Sequence, residues 1–185
     1  KDMADPQIEA LVEDYRRSLY VHAYEDLLVE RKMPTKVADS VVAQIYHLQP
    51  EKFILQESIV KGVLLVVPQN APHLKRVKQW LEQPEDNIED IEKYAYRYAT
   101  GYELFTDRWL TEQQILLYIP FVKDDLNTML KQKRQIEVSD STSLYILQVT
   151  DKHLVGEQTP IDYARPEIEK VVLSRRQVDF LKSER

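Results

Sequence analysis

The nine residues from Ile59 to Val67 are almost all apolar, most of them are β-branched, and Pro68 follows them directly. Such a run predicts a strand buried in a protein interior, because β-branched side chains pack well on a pleated sheet. Proline cannot donate a ladder hydrogen bond, so Pro68 is expected to close the strand. The middle of the chain therefore predicts a sheet that contains a buried strand.

Both ends of the chain predict long helices. From about Asp5 to Met33, apolar residues recur at three- and four-residue steps over roughly seven turns, after an Asp-Pro start. A stripe this narrow on a helix this long indicates a partner helix. After a connector at 159–166, a second apolar stripe predicts a closing helix from Glu167 onward. We expect the two ends to pack on each other.

The segments between these ends alternate between helical and extended patterns. The predicted elements are helices at 36–48, 70–81, 87–100, 112–119 and 124–133, a short extended piece at 102–110, and a hairpin of strands 135–138 and 143–150. Gly101 stands where a left-handed residue would end the helix at 87–100. Composition makes 139–142 the turn of the hairpin.

Composition excludes several classes of function. The 185 residues include three Gly and no Cys, which rules out glycine-rich phosphate loops, disulfides and cysteine-ligated zinc. A net charge of −6 argues against a nucleic-acid partner, and no apolar run is long enough for a membrane span. The chain starts at Lys1 inside a helix-initiating stretch, so we expect that upstream residues are missing and that any export signal was removed or never included.

The chain shows no pattern of catalytic or metal-binding residues. None of the four histidines, His22, His47, His73 and His153, belongs to a metal-binding pattern such as H-E-x-x-H. The acidic pairs Glu85/Asp86, Glu89/Asp90 and Asp124/Asp125 lie at predicted helix starts, where carboxylates complement the helix dipole. We assign no catalytic, cofactor-binding or metal-binding residue, and we expect no cofactor.

The eleven tyrosines supply amphipathic aromatic surface, which suits adaptable contacts with peptides as well as ordinary packing. Within the helix at 87–100, Tyr94 and Tyr98 share one face and Tyr96 lies nearly opposite. Outside this helix the notable tyrosines are Tyr15, Tyr20, Tyr24, Tyr46, Tyr118, Tyr145 and Tyr163. No individual peptide-binding residue can be assigned from the sequence.

The order of elements resembles a parvulin-type prolyl isomerase domain as it occurs in SurA- and PrsA-like folding factors. The segments that carry the resemblance are Lys36–Phe53 (KVADSVVAQIYHLQPEKF), Ile91–Ala99 (IEKYAYRYA) and Ser143–Asp151 (SLYILQVTD). The resemblance implies an α+β fold in which a parvulin-like β-α-α-(β)-α-β-β domain is inserted between N-terminal helices and a long C-terminal helix that pack together. The implied divisions are 1–56, 57–156 and 157–185.

The chain departs from this family where active parvulins carry histidines. Val63, Leu64 and Leu65 stand in the first strand, and Tyr145 and Ile146 stand near the last. The Gly-rich central loop is absent, and Asp107 corresponds to the family's acidic or Cys position. Lowering the barrier of about 20 kcal/mol to X–Pro rotation needs a preformed polar pocket, so these losses imply a degenerate domain.

The resemblance implies a SurA-like periplasmic chaperone that binds unfolded secreted or outer-membrane proteins through apolar and aromatic surface, without isomerase activity. One alternative is an active peptidyl-prolyl cis-trans isomerase with a rearranged pocket that uses Asp107 or Tyr145. Another is a structural subunit whose terminal helices mediate oligomerisation.

Overall fold

The computed structural model describes residues 6–119 and 123–183, with only the backbone of Lys123 and Asp124. The described chain is an α+β protein, which confirms the predicted class. It divides into two compact units. A helical unit consists of Lys1–Leu48 and Ala164–Arg185, and an α/β unit consists of Gln49–Tyr163.

The described chain contains seven helices, one 3₁₀ turn and four strands. In chain order they are α1 (Pro6–Lys32), α2 (Asp39–Leu48), a 3₁₀ turn (Pro50–Lys52), β1 (Ile59–Pro68), α3 (Leu74–Glu82), α4 (Ile88–Tyr98), β2 (Gly101–Thr111), α5 (Glu112–Leu116), α6 (Lys123–Gln132), β3 (Gln135–Ser139), β4 (Ser143–His153) and α7 (Ile161–Ser183). The predicted buried strand and the predicted hairpin are both present, as β1 and as β3 with β4.

The four strands form one antiparallel sheet in the order β2-β1-β4-β3. β1 lies inside the sheet and pairs with β4 over nearly its whole length, from Ile59 opposite His153 to Pro68 opposite Ser143. Along β1, only Lys61 and Pro68 are not buried. The apolar run is thus explained by coverage of both faces of the strand.

Helices cover the two faces of the sheet in pairs. On one face, α5 and α6 contribute Ile115, Leu126 and Leu130 to a core that contains Leu64 and Phe105. On the other face, α3 and α4 pack against the alternate β1 side chains. That second core contains Val63, Leu65, Val67, Val77, Leu81, Ile91, Tyr94, Ala95 and Ile146. Because side chains alternate along a strand, one continuous apolar run serves both cores.

The helical unit is joined by polar contacts between α7 and the segment around α2. The Arg165 guanidinium lies 2.9 Å from an Asp39 carboxylate oxygen, and Arg176 donates to the Lys36 carbonyl at 2.9 Å. Among the residues of this unit that the structure describes, buried apolar side chains are few. They are Val42 on α2 and Ala164, Ile168 and Val172 on α7.

Two predictions about local structure were wrong. The closing helix begins at Ile161 and contains Pro166, although 159–166 was predicted to be a connector. Gly101 begins β2 and has no positive φ; among the described glycines only Gly156 does. The extended piece predicted at 102–110 is confirmed as β2, which is longer by one residue at each end. Asp5, at which the first helix was predicted to start, lies outside the described residues, and so does Pro120, which directly follows the helix predicted at 112–119.

Contacts made by Asp162 explain why α7 starts before its proline. Trp109 Nε1 donates to Asp162 Oδ2 at 2.8 Å, and the Lys61 ammonium lies 3.4 Å from the same oxygen. Lys61 also lies over the Trp109 ring, 4.5 Å from its centroid. Proline costs a helix one hydrogen bond, and these tertiary contacts hold the first turn in spite of it.

β4 passes very close to β1 at Gly62. A Cβ at this position would lie 1.9 Å from the Gln148 carbonyl oxygen, which is backbone and cannot rotate away. The pairing of β1 with β4 and with β2 changes register at this point. A bulge that brings two backbones together leaves room for glycine alone.

We expect Gly62→Ala to destabilise the α/β unit by about 3 kcal/mol or more, because the sheet must open locally to admit the methyl group. Gly101→Ala is the matched control, since its Cβ would meet nothing nearer than a Val66 methyl at 3.7 Å. Urea unfolding followed by circular dichroism measures both. Equal stability of the two variants would contradict the close approach.

The Asp162 carboxylate predicts a dependence of stability on pH. Burial raises its pKa, but the hydrogen bond from Trp109 and the charge of Lys61 outweigh this and leave the pKa below its ordinary value of 3.8. A lowered folded-state pKa contributes stability above the unfolded pKa, and that contribution disappears as the pH falls through the folded value. More than half of the Asp162 side chain is exposed, so solvent screens the effect.

We therefore expect Asp162→Asn to cost up to about 1 kcal/mol at pH 7. The difference from the parent protein should shrink as the pH falls below about 4, where the unfolded carboxyl becomes protonated. Asp107→Asn removes an exposed carboxylate from the same unit and serves as the control. Urea midpoints at pH 7, 5 and 3.5 test this, and a pH-independent difference would contradict it.

Candidate functional site

The most prominent surface in the described chain is the apolar stripe of α1. None of the 27 residues of α1 is buried, although many of them are large and apolar. Nine large hydrophobic side chains are between 47% and 72% exposed. We call these nine side chains the α1 stripe: Ile8, Leu11, Val12, Tyr15, Leu19, Tyr20, Val21, Tyr24 and Leu27. They point to more than one side of the helix, since neighbours such as Leu19, Tyr20 and Val21 are about 100° apart around its axis. Exposed apolar side chains in this number along one helix are typical of contact surfaces.

The second half of α1 forms one wall of a groove. The groove has a volume of about 480 Å³, and Leu181 of α7 also lines it. Its apolar surface comes mainly from Tyr20, Val21, Tyr24 and Leu28. Tyrosine combines an apolar ring with a hydroxyl that can remain hydrated, so such walls accept side chains of different shapes.

Charges of both signs border this groove. Glu13 and Arg16 form an exposed ion pair at 3.3 Å, and Arg17 and Glu25 line the groove as well. Exposed ion pairs contribute little to stability, so these side chains can exchange partners at little cost. The groove is thus apolar at its wall and electrostatically mixed at its rim.

The positions where the resembling family carries histidines are apolar or structural. Val63, Leu64 and Leu65 are completely buried in the two cores, as is Ile146. The Tyr145 hydroxyl donates to Asp140 Oδ2 at 2.6 Å, and this hydrogen bond is the first cause that raises the tyrosine's pKa. Tyr145 is therefore a partner of the β3–β4 turn.

Asp140 organises that turn. Its carboxylate accepts hydrogen bonds from the Tyr145 hydroxyl and from the backbone amides of Thr142 and Ser143. Together these bonds hold the pKa of Asp140 well below its usual range. The turn predicted at 139–142 is confirmed, and its aspartate is explained by local bonding.

Asp107 and Tyr145 lie at opposite ends of the sheet. Tyr145 of β4 pairs with Val66 of β1, and Val66 pairs on its other side with Gly101 at the start of β2. Asp107 is exposed in the part of β2 beyond Phe105, where the register with β1 changes. The two residues predicted to serve a rearranged isomerase pocket are not brought together.

The four histidines are dispersed through the described structure. His22 is 76% exposed on α1, and His47 lies in the last turn of α2 beside the Tyr46 ring. His73 precedes α3 with φ of 60°, and His153 ends β4 near Glu157 and the Trp109 ring. In the described residues, no group of three or more His, Cys, Asp or Glu side chains could hold a metal ion.

The acidic pairs are exposed where the structure describes them. Glu85 and Asp86 lie just before α4, and Glu89 and Asp90 lie in its first turn. Glu89 forms an exposed ion pair with Lys93 at 3.6 Å. The side chain of Asp124 lies outside the described residues. These placements match the roles expected of carboxylates at helix starts.

The tyrosines of α4 occupy the predicted faces. Tyr94 is buried, donates to the Pro72 carbonyl at 2.8 Å and packs against Tyr98 with ring centroids 5.0 Å apart. Burial raises the pKa of Tyr94. Tyr96 is 86% exposed on the opposite side. The prediction for this helix is confirmed, and Tyr96 is left as an exposed aromatic.

A buried polar cluster was missed in the sequence. Glu112 is fully buried, and the Asn127 amide donates to its two carboxylate oxygens at 3.0 and 2.9 Å. Asn127 accepts in turn from the buried Ser58 hydroxyl, which accepts from the Val155 amide at 3.0 Å. The available signal was the Thr111–Gln114 capping box, which marks Glu112 as the first residue of α5.

This cluster ties together four separate segments of the α/β unit, because its members come from before β1, from α5, from α6 and from after β4. A buried carboxylate without a cation is stable only if its oxygens remain hydrogen-bonded. We therefore interpret the cluster as structural.

No family model matches the chain, and no curated protein matches it. Among solved structures, one similar chain belongs to a pair of structurally related SurA-like chaperones from Campylobacter jejuni. The pair consists of the virulence factor PEB4 and the periplasmic protein Cj1289. It is 12% identical, with 97% of this chain and 71% of that chain covered and a TM-score of 0.36. Similarity at this level carries no information on activity or partners.

Across the described residues, no helix combines the length and the apolar character that crossing a bilayer requires.

Asn127→Asp tests the structural interpretation of the buried cluster. It places a second carboxyl against Glu112, so we expect a loss of about 3 kcal/mol at neutral pH and partial recovery in acid. The exposed Asn70→Asp introduces the same charge elsewhere and is the control. Thermal unfolding at pH 5 and pH 7.5 measures both, and a neutral effect of Asn127→Asp would contradict the interpretation.

Proposed function

We propose that this chain is a SurA-like folding factor that binds unfolded polypeptides through the α1 stripe, without catalysis and without a cofactor. The observation that carries the proposal is a 27-residue helix with nine exposed large apolar side chains and no buried residue. A helix of this length extends about 40 Å, enough to contact several segments of an unfolded client at once.

The energetics favour weak and reversible contacts. Apolar burial yields about 25 cal/mol per Å², so covering one such side chain is worth about 1.5 kcal/mol or more. Association costs several kcal/mol of lost motion, so only clients that cover several positions of the stripe remain bound. Exposed apolar segments are the property that unfolded proteins share, and the aromatic members of the stripe adapt to varied partners.

Charge limits competing self-association. The net charge of −6 opposes close approach of two copies, and α1 carries acidic and basic side chains beside its apolar stripe. The helix can thus expose apolar surface while the chain stays dispersed.

We further propose that the α/β part is a degenerate parvulin-like domain at 57–156, set between a helical segment at 1–56 and a C-terminal helix at 157–185 that pack together. Support comes from the order strand, two helices, strand, two helices and hairpin. Support also comes from the buried apolar side chains at Val63–Leu65 and Ile146, where an isomerase would need polar groups. A periplasmic setting, with secreted or outer-membrane clients, follows from the resemblance alone.

Oligomerisation through the terminal helices is the second candidate, because the α1 stripe would suit a second copy as well as a client. Light scattering over a hundredfold range of concentration separates the two. A dimer that persists at all concentrations and fails to bind clients would favour the structural role.

We expect the triple substitution Leu11→Ser, Tyr15→Ser and Leu19→Ser to abolish most of the chaperone effect. Removal of three contacts of about 1 kcal/mol or more should weaken client binding about 100-fold. Since all three side chains are exposed, the folded state should be as stable as that of the parent. The measurement is suppression of aggregation of several reduced or heat-unfolded proteins at a stoichiometric ratio.

The matched control replaces Leu117 and Val155, two large apolar side chains that are 84% and 48% exposed in the α/β unit, by Ser. It should suppress aggregation as well as the parent does. If the parent protein suppressed the aggregation of none of the clients, the proposal would be contradicted. A protease-coupled assay with a proline peptide measures prolyl isomerisation. Activity that is lost when Asp107 or Tyr145 is substituted would instead support the isomerase alternative.

A further inference from the structure

The outer edge of β2 is an open edge of the sheet. β2 is the first strand in the order β2-β1-β4-β3, and among the described residues it pairs with β1 alone. Its first half, Gly101–Phe105, pairs with β1 in an unbroken register from Val66 to Gly62. An ordered strand of this kind presents alternate N–H and C=O groups to solvent on its free side.

Most of the usual protections of an edge strand are missing from this half of β2. Proteins block free edges with proline, charged side chains, bulges or very short strands. The charged residue of Gly101–Phe105, Glu103, accepts hydrogen bonds from Arg108 and Tyr118. Gly101–Thr111 contains neither Pro nor Lys, and the irregular register begins only after Phe105. The other edge strand, β3, has only five residues, and the Lys78–Glu137 ion pair ties it to α3. The first half of β2 is therefore the more receptive edge.

A cleft between α4 and this edge adds aromatic and acidic groups. It has a volume of about 450 Å³ and is lined by Glu89, Glu92, Lys93, Tyr96 and Tyr102. Tyr96 is 86% exposed and Tyr102 is 37% exposed. Lys93 is paired with Glu89, which leaves Glu92 as a carboxylate without an ion-pair partner among the described residues. The cleft is net negative and selects a cationic side chain.

We propose that the free edge of Gly101–Phe105 binds an extended peptide by strand addition, and that the peptide alternates β-branched and basic side chains. Its backbone would continue the sheet outward from β2, which provides affinity independent of sequence. Its basic side chains would enter the cleft beside Glu92 and stack on Tyr96 and Tyr102 by cation–π contact.

A second copy of this chain fits the same edge less well. Antiparallel pairing of two β2 strands would bring two copies of the net-negative cleft to one interface, where like charges repel. A basic extended peptide meets no such repulsion. The site lies on the α/β unit and does not involve the α1 stripe, so it would give clients a second point of attachment if the proposed function holds.

The test uses the full chain and a labelled, end-capped eight-residue peptide that alternates Val and Lys, with a Val/Glu peptide for comparison. Fluorescence anisotropy should show binding of the Val/Lys peptide at least tenfold tighter than binding of the Val/Glu peptide. Amide hydrogen exchange should slow at Gly101–Phe105 on addition of the Val/Lys peptide. Glu92→Lys should weaken binding about threefold to tenfold, whereas Glu85→Lys, the same change at another exposed carboxylate, should alter it less than twofold.

Three results would overturn the proposal. They are absence of binding, binding without slower exchange at Gly101–Phe105, and equal weakening by Glu92→Lys and Glu85→Lys. Exchange at Gly101–Phe105 could also be slow without peptide and become faster when the protein is diluted. That result would assign the edge to a second copy of the chain and would likewise overturn the proposal. The triple α1 variant should bind the peptide normally, so failure of strand addition and failure of the α1 stripe to protect clients are separate outcomes.

Discussion

The close passage of β4 over Gly62 is the constraint on which the α/β unit depends. The Gln148 carbonyl occupies the space that any side chain at residue 62 would need, so the two central strands meet backbone to backbone. This contact locates the register change in the sheet, and the register decides which β1 side chains face which pair of helices. A slip of one residue would exchange the two cores, and neither would then be filled by complementary side chains.

The two units use similar side chains in opposite ways. In the α/β unit, helices on both faces remove the apolar run of β1 from water almost completely. In the helical unit, α1 carries nine large apolar side chains among many charged ones, yet none of its residues is buried. Burial is the normal outcome for such residues, and their exposure along a whole helix is the observation on which the proposed client binding rests.

The interior of the α/β unit also explains why catalysis is not part of the proposal. A pocket that polarises a peptide bond needs polar groups directed at an accessible cavity. In this chain Val63, Leu64 and Leu65 are fully buried in the two apolar cores, and Tyr145 is engaged by the Asp140 turn. The buried carboxylate of Glu112 is held by Asn127 as part of the fold. The features on which the proposals rest are surfaces of the described residues: an apolar helix, an open strand edge and an acidic cleft.

The sequence by itself determined the elements whose signal is local. β-branched residues in an unbroken run defined β1, a Ser/Asp/Thr turn defined the hairpin, and helical spacing assigned Tyr94 and Tyr96 to opposite faces of α4. Tertiary structure alone decided the elements whose stability comes from distant partners. α7 continues through Pro166 because Asp162 is held by Trp109 and Lys61, and Glu112 is buried because Asn127 and Ser58 reach it from other segments. Such partners lie 15 to 101 residues away along the chain, and no local pattern encodes where they will meet.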